Sequence, residues 1–394
     1  MGVLKISFII LLLLFPLGQM ARLEFQNGIA INLSDIAVGI VVFVFLFENR
    51  SRKWFKKSLA KPIIVFAVIG LLSLIVNMKS LTTSEFVISL LYGIRWFLYA
   101  GIFFVVSGFD SEFKRKITKL MIFIGSLVIL GGFVQYFLYP NLRNLYYLGW
   151  DEHLYRMFSS FLDPNFAGAF FVLYFLFLFG LTIYFIKRNS KNYSLILSIL
   201  SLSSLIAILL TYSRSALIML IVGSMTLLLL KKQKKLIIVI LGIAVIFFVI
   251  AANNFYSDNL NLLRTESSKA RLKSASQAVD IIKDNSILGV GFNAYRYAQV
   301  KYGFVKKETE ALSHAGAGTD NSFLFVLATT GMVGLASYLF LWFSILRNAF
   351  KTFSNNGFQK TMVAVEIASI VGIFANTFFI NSLFYPPIMF WMWI

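Results

Sequence analysis

Ser213-Arg214-Ser215 is a short polar break between two apolar runs, and its residue types suit the binding of an anion. A hydroxyl at 213 can cap a helix that starts at Arg214, whose first-turn amides are unpaired and carry partial positive charge. The Arg214 guanidinium adds a planar fork matched to phosphate oxygens. The same side chain could instead run along lipid headgroups, its stem in the apolar layer. Arg271 is a second cation for the same level, or a solvated loop charge. Asp163-Pro164-Asn165 and Asp320-Asn321 read as helix starts, the first with proline in the first helical position. Asp320 can be such a cap, or a proton acceptor if its carboxylate meets a substrate. His314, six residues upstream, titrates near neutrality and can do the same work, or none. Together these residues offer an anion seat and a proton acceptor.

The composition places them in a membrane. With 59% hydrophobic and 13% charged residues and a mean hydropathy of +0.80, too little polar surface remains to cover a water-soluble globule. The chain has no cysteine and two histidines, His153 and His314, which removes thiol chemistry and leaves no histidine-rich metal centre; we expect no metal and no cofactor. The formal charge of +19 lies in clusters between apolar spans, not along one soluble face, so no nucleic-acid partner is expected. Gly289-Val290-Gly291 is too short for a nucleotide-binding loop and marks a backbone bend, as do Gly316 and Gly318.

A helix needs roughly 20 apolar residues to cross the hydrocarbon. Runs that meet or approach this are 3–19, 29–47, 63–77, 85–107, 117–139, 165–186, 194–211, 215–230, 236–252, 321–346 and 361–380, with a stub at 382–394 carrying Pro386-Pro387. The first run resembles a signal peptide but lacks a small-residue cleavage site, and is read as a first span. The fold class expected is therefore all-α: a polytopic helix bundle of 11 to 12 transmembrane helices, one domain over 1–394, with an outer loop subdomain at 254–320 between the ninth and tenth. Basic stretches at 50–61, 114–119, 187–191, 231–235 and 347–360 alternate without a break, which puts the amino terminus and these loops in the cytoplasm. The loops holding Asp163, Arg214, Arg271 and Asp320 then face outward. Within the long loop, Leu272, Ala275, Val279 and Ile282 fall at helical spacing and predict a helix lying on the outer membrane surface. Arg95, roughly 15 Å into its span at 1.5 Å per residue, is a costly charge that needs a partner or a function; Glu366 and Asp35 are its candidate partners.

Four motifs carry a family likeness. Ser213-Arg214-Ser215, the Arg271 helix leading into Gly289-Val290-Gly291-Phe292, and Asn321-Ser322-Phe323-Leu324 through Gly331-Met332-Val333-Gly334 resemble the O-antigen ligase and O-antigen polymerase family. Asp163-Pro164-Asn165-Phe166-Ala167-Gly168 is similar to that family's Pro-Asn motif at the start of a mid-chain span, so the likeness runs from Asp163 onward. The resemblance implies a metal-independent inverting glycosyltransferase of the bacterial cytoplasmic membrane that uses an undecaprenyl-diphosphate-linked oligosaccharide as donor, with a linked acceptor, the bilayer, a chain-length regulator and a flippase as partners. By the same likeness Arg214 and Arg271 hold the diphosphate; Asp163, Asn165 and Asn321 at the helix starts, and Arg95 from its depth in the membrane, are further candidate substrate contacts. The family places a histidine directly before the asparagine, where this chain has Asp320, so Asp320 or a displaced His314 is the expected base. Polymerisation into O antigen, capsule or exopolysaccharide is the reading preferred over ligation to a lipid or protein acceptor. A transporter or flippase is the alternative from another class, which internal repeats and midplane polar groups would favour.

Overall fold

Apolar runs of this length satisfy their backbone only as helices when water is absent. The computed structural model describes residues 2–25, 29–48, 53–233, 236, 242, 266–306, 318–353 and 357–394. Among these it has thirteen α-helices: α1 Gly2–Leu14, α2 Leu33–Glu48, α3 Ala60–Val76, α4 Thr83–Gly108, α5 Ser111–Leu138, α6 Pro164–Lys187, α7 Lys191–Leu210, α8 Arg214–Leu230, α9 Glu266–Asp284, α10 Tyr295–Lys301, α11 Ser322–Thr352, α12 Phe358–Thr377 and α13 Pro386–Trp393. Seven described helices are long and apolar enough to cross a membrane, and α3 and α8 are shorter apolar helices. The chain is an all-α, multi-pass membrane protein apart from one small antiparallel pair, β1 Arg22–Glu24 with β2 Ala30–Asn32, which the apolar pattern does not reveal. The ninth expected span, 236–252, lies almost wholly outside the described residues. The stub contains α13, a buried eight-residue helix too short to cross.

The loops fall at two ends of the bundle. Lys5 pairs with Asp110 at 2.5 Å, Asn348 donates to Ser58 and Lys231 to Thr361, so the stretch at 50–61 meets that at 347–360, and 231–235 meets the start of α12. The stretch 114–119 is a correction: it is not a loop but the first turns of α5, which Asp110 caps by accepting from the Phe113 amide. A helix start is as good a place for basic side chains as a loop when their ammonium groups reach water.

Helix α6 is the centre of the bundle, buried around almost its whole circumference. Gly168 lets it approach α8 closely; a Cβ there would stand 2.7 Å from that of Ala216. This contact sets the amino-terminal ends of α6 and α8 side by side, which matters for the site. Helix α11 is broken at Gly331 (φ +66°), and the break frees backbone groups that a membrane protein must satisfy internally. The turn that follows α9 does so. Val290 and Gly291 donate to Ala328 and Thr329, while Met332 and Val333 donate to Ser286 and Ile287. Ser73 of α3 and Asn77 just past its end donate to the Leu288 and Gly289 carbonyls of the same turn, and Ser73 also to that of Thr329 in α11. The Gly289-Val290-Gly291 bend is thus a plug for the broken helix.

The pairing of Arg95 is also resolved. Its guanidinium reaches Asp35 at 2.7 Å and the Ala30 carbonyl at 2.7 Å, with Tyr99 donating to the other Asp35 oxygen. Asp35 is therefore the partner, not Glu366, because the Arg95 side chain runs along α4 to the hairpin end of α2.

Candidate active site

The site is assembled from three helix starts. Asp163 caps α6: its Oδ1 accepts from the amides of Asn165 at 2.6 Å and Phe166 at 3.4 Å. Ser213 caps α8, accepting from Ala216. At α11 the cap is Asn321, whose Oδ1 accepts from Phe323 at 2.9 Å and Leu324 at 3.0 Å. Asp320 is consequently not the cap that the sequence allows it to be. An amide at 321 occupies the capping position, and the carboxylate one residue earlier stands outside the helix.

The first two starts are tied together directly. Asn165 Oδ1 accepts from Ser213 Oγ at 3.1 Å and from Arg156 Nη2 at 3.3 Å. Arg156, only 5% exposed, also donates through Nε to the Thr211 carbonyl at 2.8 Å and through Nη2 to that of Tyr212. It thereby holds the α7–α8 turn, in which Tyr212 is left-handed (φ +48°), and fixes where Arg214 begins. The segment carrying Arg156 is in turn held by Gln135 of α5, whose Oε1 accepts from the Phe158 and Ser159 amides. Sequence reasoning missed Arg156, since nothing in its neighbours marks it as buried.

Around these starts the charged groups gather. Arg214 and Arg271, both half-buried, are close enough to repel each other. Asp320 lies within electrostatic reach of Arg271 and of Asp163: burial pushes its carboxyl pKa up, Arg271 opposes the rise, and the Asp163 carboxylate adds to it. Tyr295 at the start of α10 faces Asp320 too. Its hydroxyl is buried with no hydrogen-bond partner among the described residues, and burial followed by the Asp320 charge moves its pKa upward. Tyr295 also escaped sequence reading, as one aromatic among many. Phe166 stacks on Tyr385 at 4.1 Å, and Tyr385 donates to the Phe161 carbonyl, which closes the site against the carboxyl-terminal segment.

Arg271 comes from α9, and its placement corrects the expected helix face. The packed positions are Ala278 and Ile281, with Arg271, Ser274 and Ala275 on the same side, while Leu272 is 72% and Val279 42% exposed. The apolar stripe of 272, 275, 279 and 282 is thus met only in part: Ala275 and Ile282 lie on the packed side and Leu272 and Val279 do not, because the face that α9 turns to α11 is centred on Ala278 and Ile281. The structure brings Arg214, Arg271, Asp163, Asn165, Asp320 and Asn321 together and sets Arg95 apart in its Asp35 pair. His314 lies outside the described residues.

An apolar cavity of about 420 Å³ lies between α3 and α4, lined by Phe66, Gly70, Gly93 and Phe292 among others, and contains none of the charged cluster. Among the described residues no three His, Asp or Glu side chains group to hold a metal ion. Two half-buried cations held together against repulsion make a seat for an anion of at least one negative charge, with a half-buried carboxylate at its edge.

Residues 196–339 match the family model described as O-antigen ligase, in agreement with the likeness carried by the motifs. The match takes in Arg214, Arg271, Tyr295, Asp320 and Asn321; it begins after Asp163, so it is narrower than the likeness read from the motifs. No curated protein matches the chain.

Proposed function

We propose, on the premise that a chain similar to O-antigen ligases across its α7–α11 region acts on the same class of lipid-linked glycan, that this protein is an inverting glycosyltransferase. Its reaction is the polymerisation of undecaprenyl-diphosphate-linked oligosaccharide repeat units into a cell-surface polysaccharide at the outer face of the bacterial cytoplasmic membrane. The observation that carries this reading is the convergence of Arg214 and Arg271 beside Asp320.

The acceptor hydroxyl oxygen bonds to the anomeric carbon of the donor sugar from the side opposite the diphosphate. The bond from that carbon to the diphosphate oxygen breaks, and its electron pair leaves with undecaprenyl diphosphate. Charge grows on that oxygen, where two fixed guanidinium groups and the α8 amino terminus stabilise it without reorganising. The hydroxyl proton passes to Asp320, whose raised pKa makes it a better acceptor than an exposed carboxylate. No step in this scheme calls on a metal.

Ligation of a finished glycan to a lipid or protein acceptor uses the same chemistry, and the description of the matching family favours it as a second reading. The two differ in product. Purified protein given a lipid-linked repeat unit yields a ladder if it polymerises and a single adduct on a foreign acceptor if it ligates. Movement of lipid-linked glycan across liposomes with no new glycosidic bond would overturn both.

A further inference from the structure

His153 lies in none of the motifs, yet the fold delivers it to the site. It belongs to the loop between α5 and α6, where the Leu142 amide binds the Glu152 carbonyl, Tyr155 binds Pro140, and Arg156 binds the His153 carbonyl itself. Four non-glycine residues of this loop are left-handed, His153 (φ +46°), Tyr155, Ser159 and Leu162. Such backbone is unfavourable for side-chain-bearing residues and persists only where the surroundings fix it. The result is an imidazole with its side chain 10% exposed and Nε2 4.0 Å from Asp163 Oδ2. That is a distance for charges, longer than a hydrogen bond. The two Asp163 oxygens are divided: Oδ1 is committed to the α6 amides, and Oδ2 turns to His153.

Asp163 is itself near Asp320, so the site contains two carboxylates that repel, beside a seat for a donor bringing further negative charge. Arg214 and Arg271 stand where that donor's phosphates would bind, and Arg156 is engaged with two carbonyls and Asn165. Among the described residues, the other charged and titratable groups facing this corner are Tyr385, which senses both Asp163 and Arg22, Tyr212 on the α7–α8 turn, and the Arg143–Glu152 pair on the loop itself. His153 is the group among these whose geometry puts a cation on Asp163.

We infer that His153 is a positioning residue of the transfer site, whose imidazolium balances the Asp163 carboxylate so that Asp320 remains the carboxylate that takes the acceptor's proton. The coupling to catalysis rests on the glycosyl-transfer reading; the ion pair does not.

The pair can be tested without activity. The chain has two histidines, so ¹⁵N-histidine labelling in nanodiscs gives two titrating signals, and His314→Ala assigns them. Asp163→Asn preserves the α6 cap, since asparagine caps about as well as aspartate, and removes the charge. The His153 midpoint should fall in Asp163→Asn, the direction expected for losing an opposite charge at this range. An unchanged midpoint would overturn the pairing.

The coupling is read from kcat/KM against pH in His153→Asn, a residue that tolerates left-handed backbone. Loss of the cation lets Asp320 hold its proton to higher pH, so the acid limb should move upward by about half a pH unit or more. A uniform loss of rate with an unmoved limb would make His153 a structural residue only. Absence of product from the wild type would instead defeat the transfer reading and leave the nuclear magnetic resonance result standing.

Discussion

At Asp320 the fold separates two roles that adjacent residues could have exchanged. Because Asn321 supplies the α11 cap, Asp320→Asn changes charge and leaves the cap intact. We expect this variant to bind donor and to lose about 10²-fold or more in turnover, measured as initial rate of product formation. Its stability should move the other way. Burial raises the folded-state pKa of Asp320, so its contribution to stability is best at low pH and is lost as pH rises through that raised value. At pH 7 the Asn variant should therefore melt at or above the wild-type temperature, with the difference closing below about pH 4, where the unfolded carboxyl also protonates. Arg214→Lys and Arg271→Lys should each reduce transfer by about 10²-fold or more with normal expression, because an ammonium cannot make a two-pronged phosphate contact. Full activity in either would count against the anion seat. Arg214, Arg271, Asp163 and Asp320 were legible as types beside helix starts. Which of Asp320 and Asn321 caps was not, since both residue types cap equally well. Arg156 and His153 were illegible for another reason: a loop held by Gln135 and left-handed turns places them, and no local pattern encodes that, while Tyr295, at the start of α10, was one aromatic among many.

The helices themselves were read more surely than their faces. The stripes 272, 275, 279, 282 and 271, 274, 278, 281 on α9 differ by one residue, about 100° of rotation. Only contact with α11 decides between them, and it centres the packed face on Ala278 and Ile281. Leu272→Glu should accordingly leave melting temperature and activity near wild type, whereas Ala278→Glu buries a charge and should destabilise by about 2 kcal/mol or more, visible as loss of folded protein on size exclusion. The break in α11 makes a sharper case. At Gly331 a Cβ would collide with the Ile287 carbonyl oxygen in a backbone region that L-residues avoid. Gly331→Ala should displace the turn after α9, lowering both melting temperature and transfer, while Gly303→Ala, also at positive φ but in open space, should be mild by comparison.

For the molecule as a whole, apolar run length foretold an all-α, multi-pass bundle, because the bilayer allows a hydrophobic segment little besides a helix. Loops far apart in the chain meet in pairs: Lys5 with Asp110, Asn348 with Ser58, Asn77 with Gly289 and Tyr385 with Phe161. What run length could not convey was the convergence of α6, α8 and α11 starts, which depends on Gly168 and on a loop between α5 and α6 that carries no periodic signal. The central claim is that this convergence transfers sugar from a diphosphate lipid without a metal. The most direct measurement is chain growth by purified protein in liposomes supplied with an undecaprenyl-diphosphate-linked repeat unit and excess chelator, followed as a product ladder. The account predicts a ladder in wild type, with one undecaprenyl diphosphate released per linkage, and its loss in Arg214→Lys. No new glycosidic bond from the wild type, or a strict need for added Mg²⁺ or Mn²⁺, would contradict it.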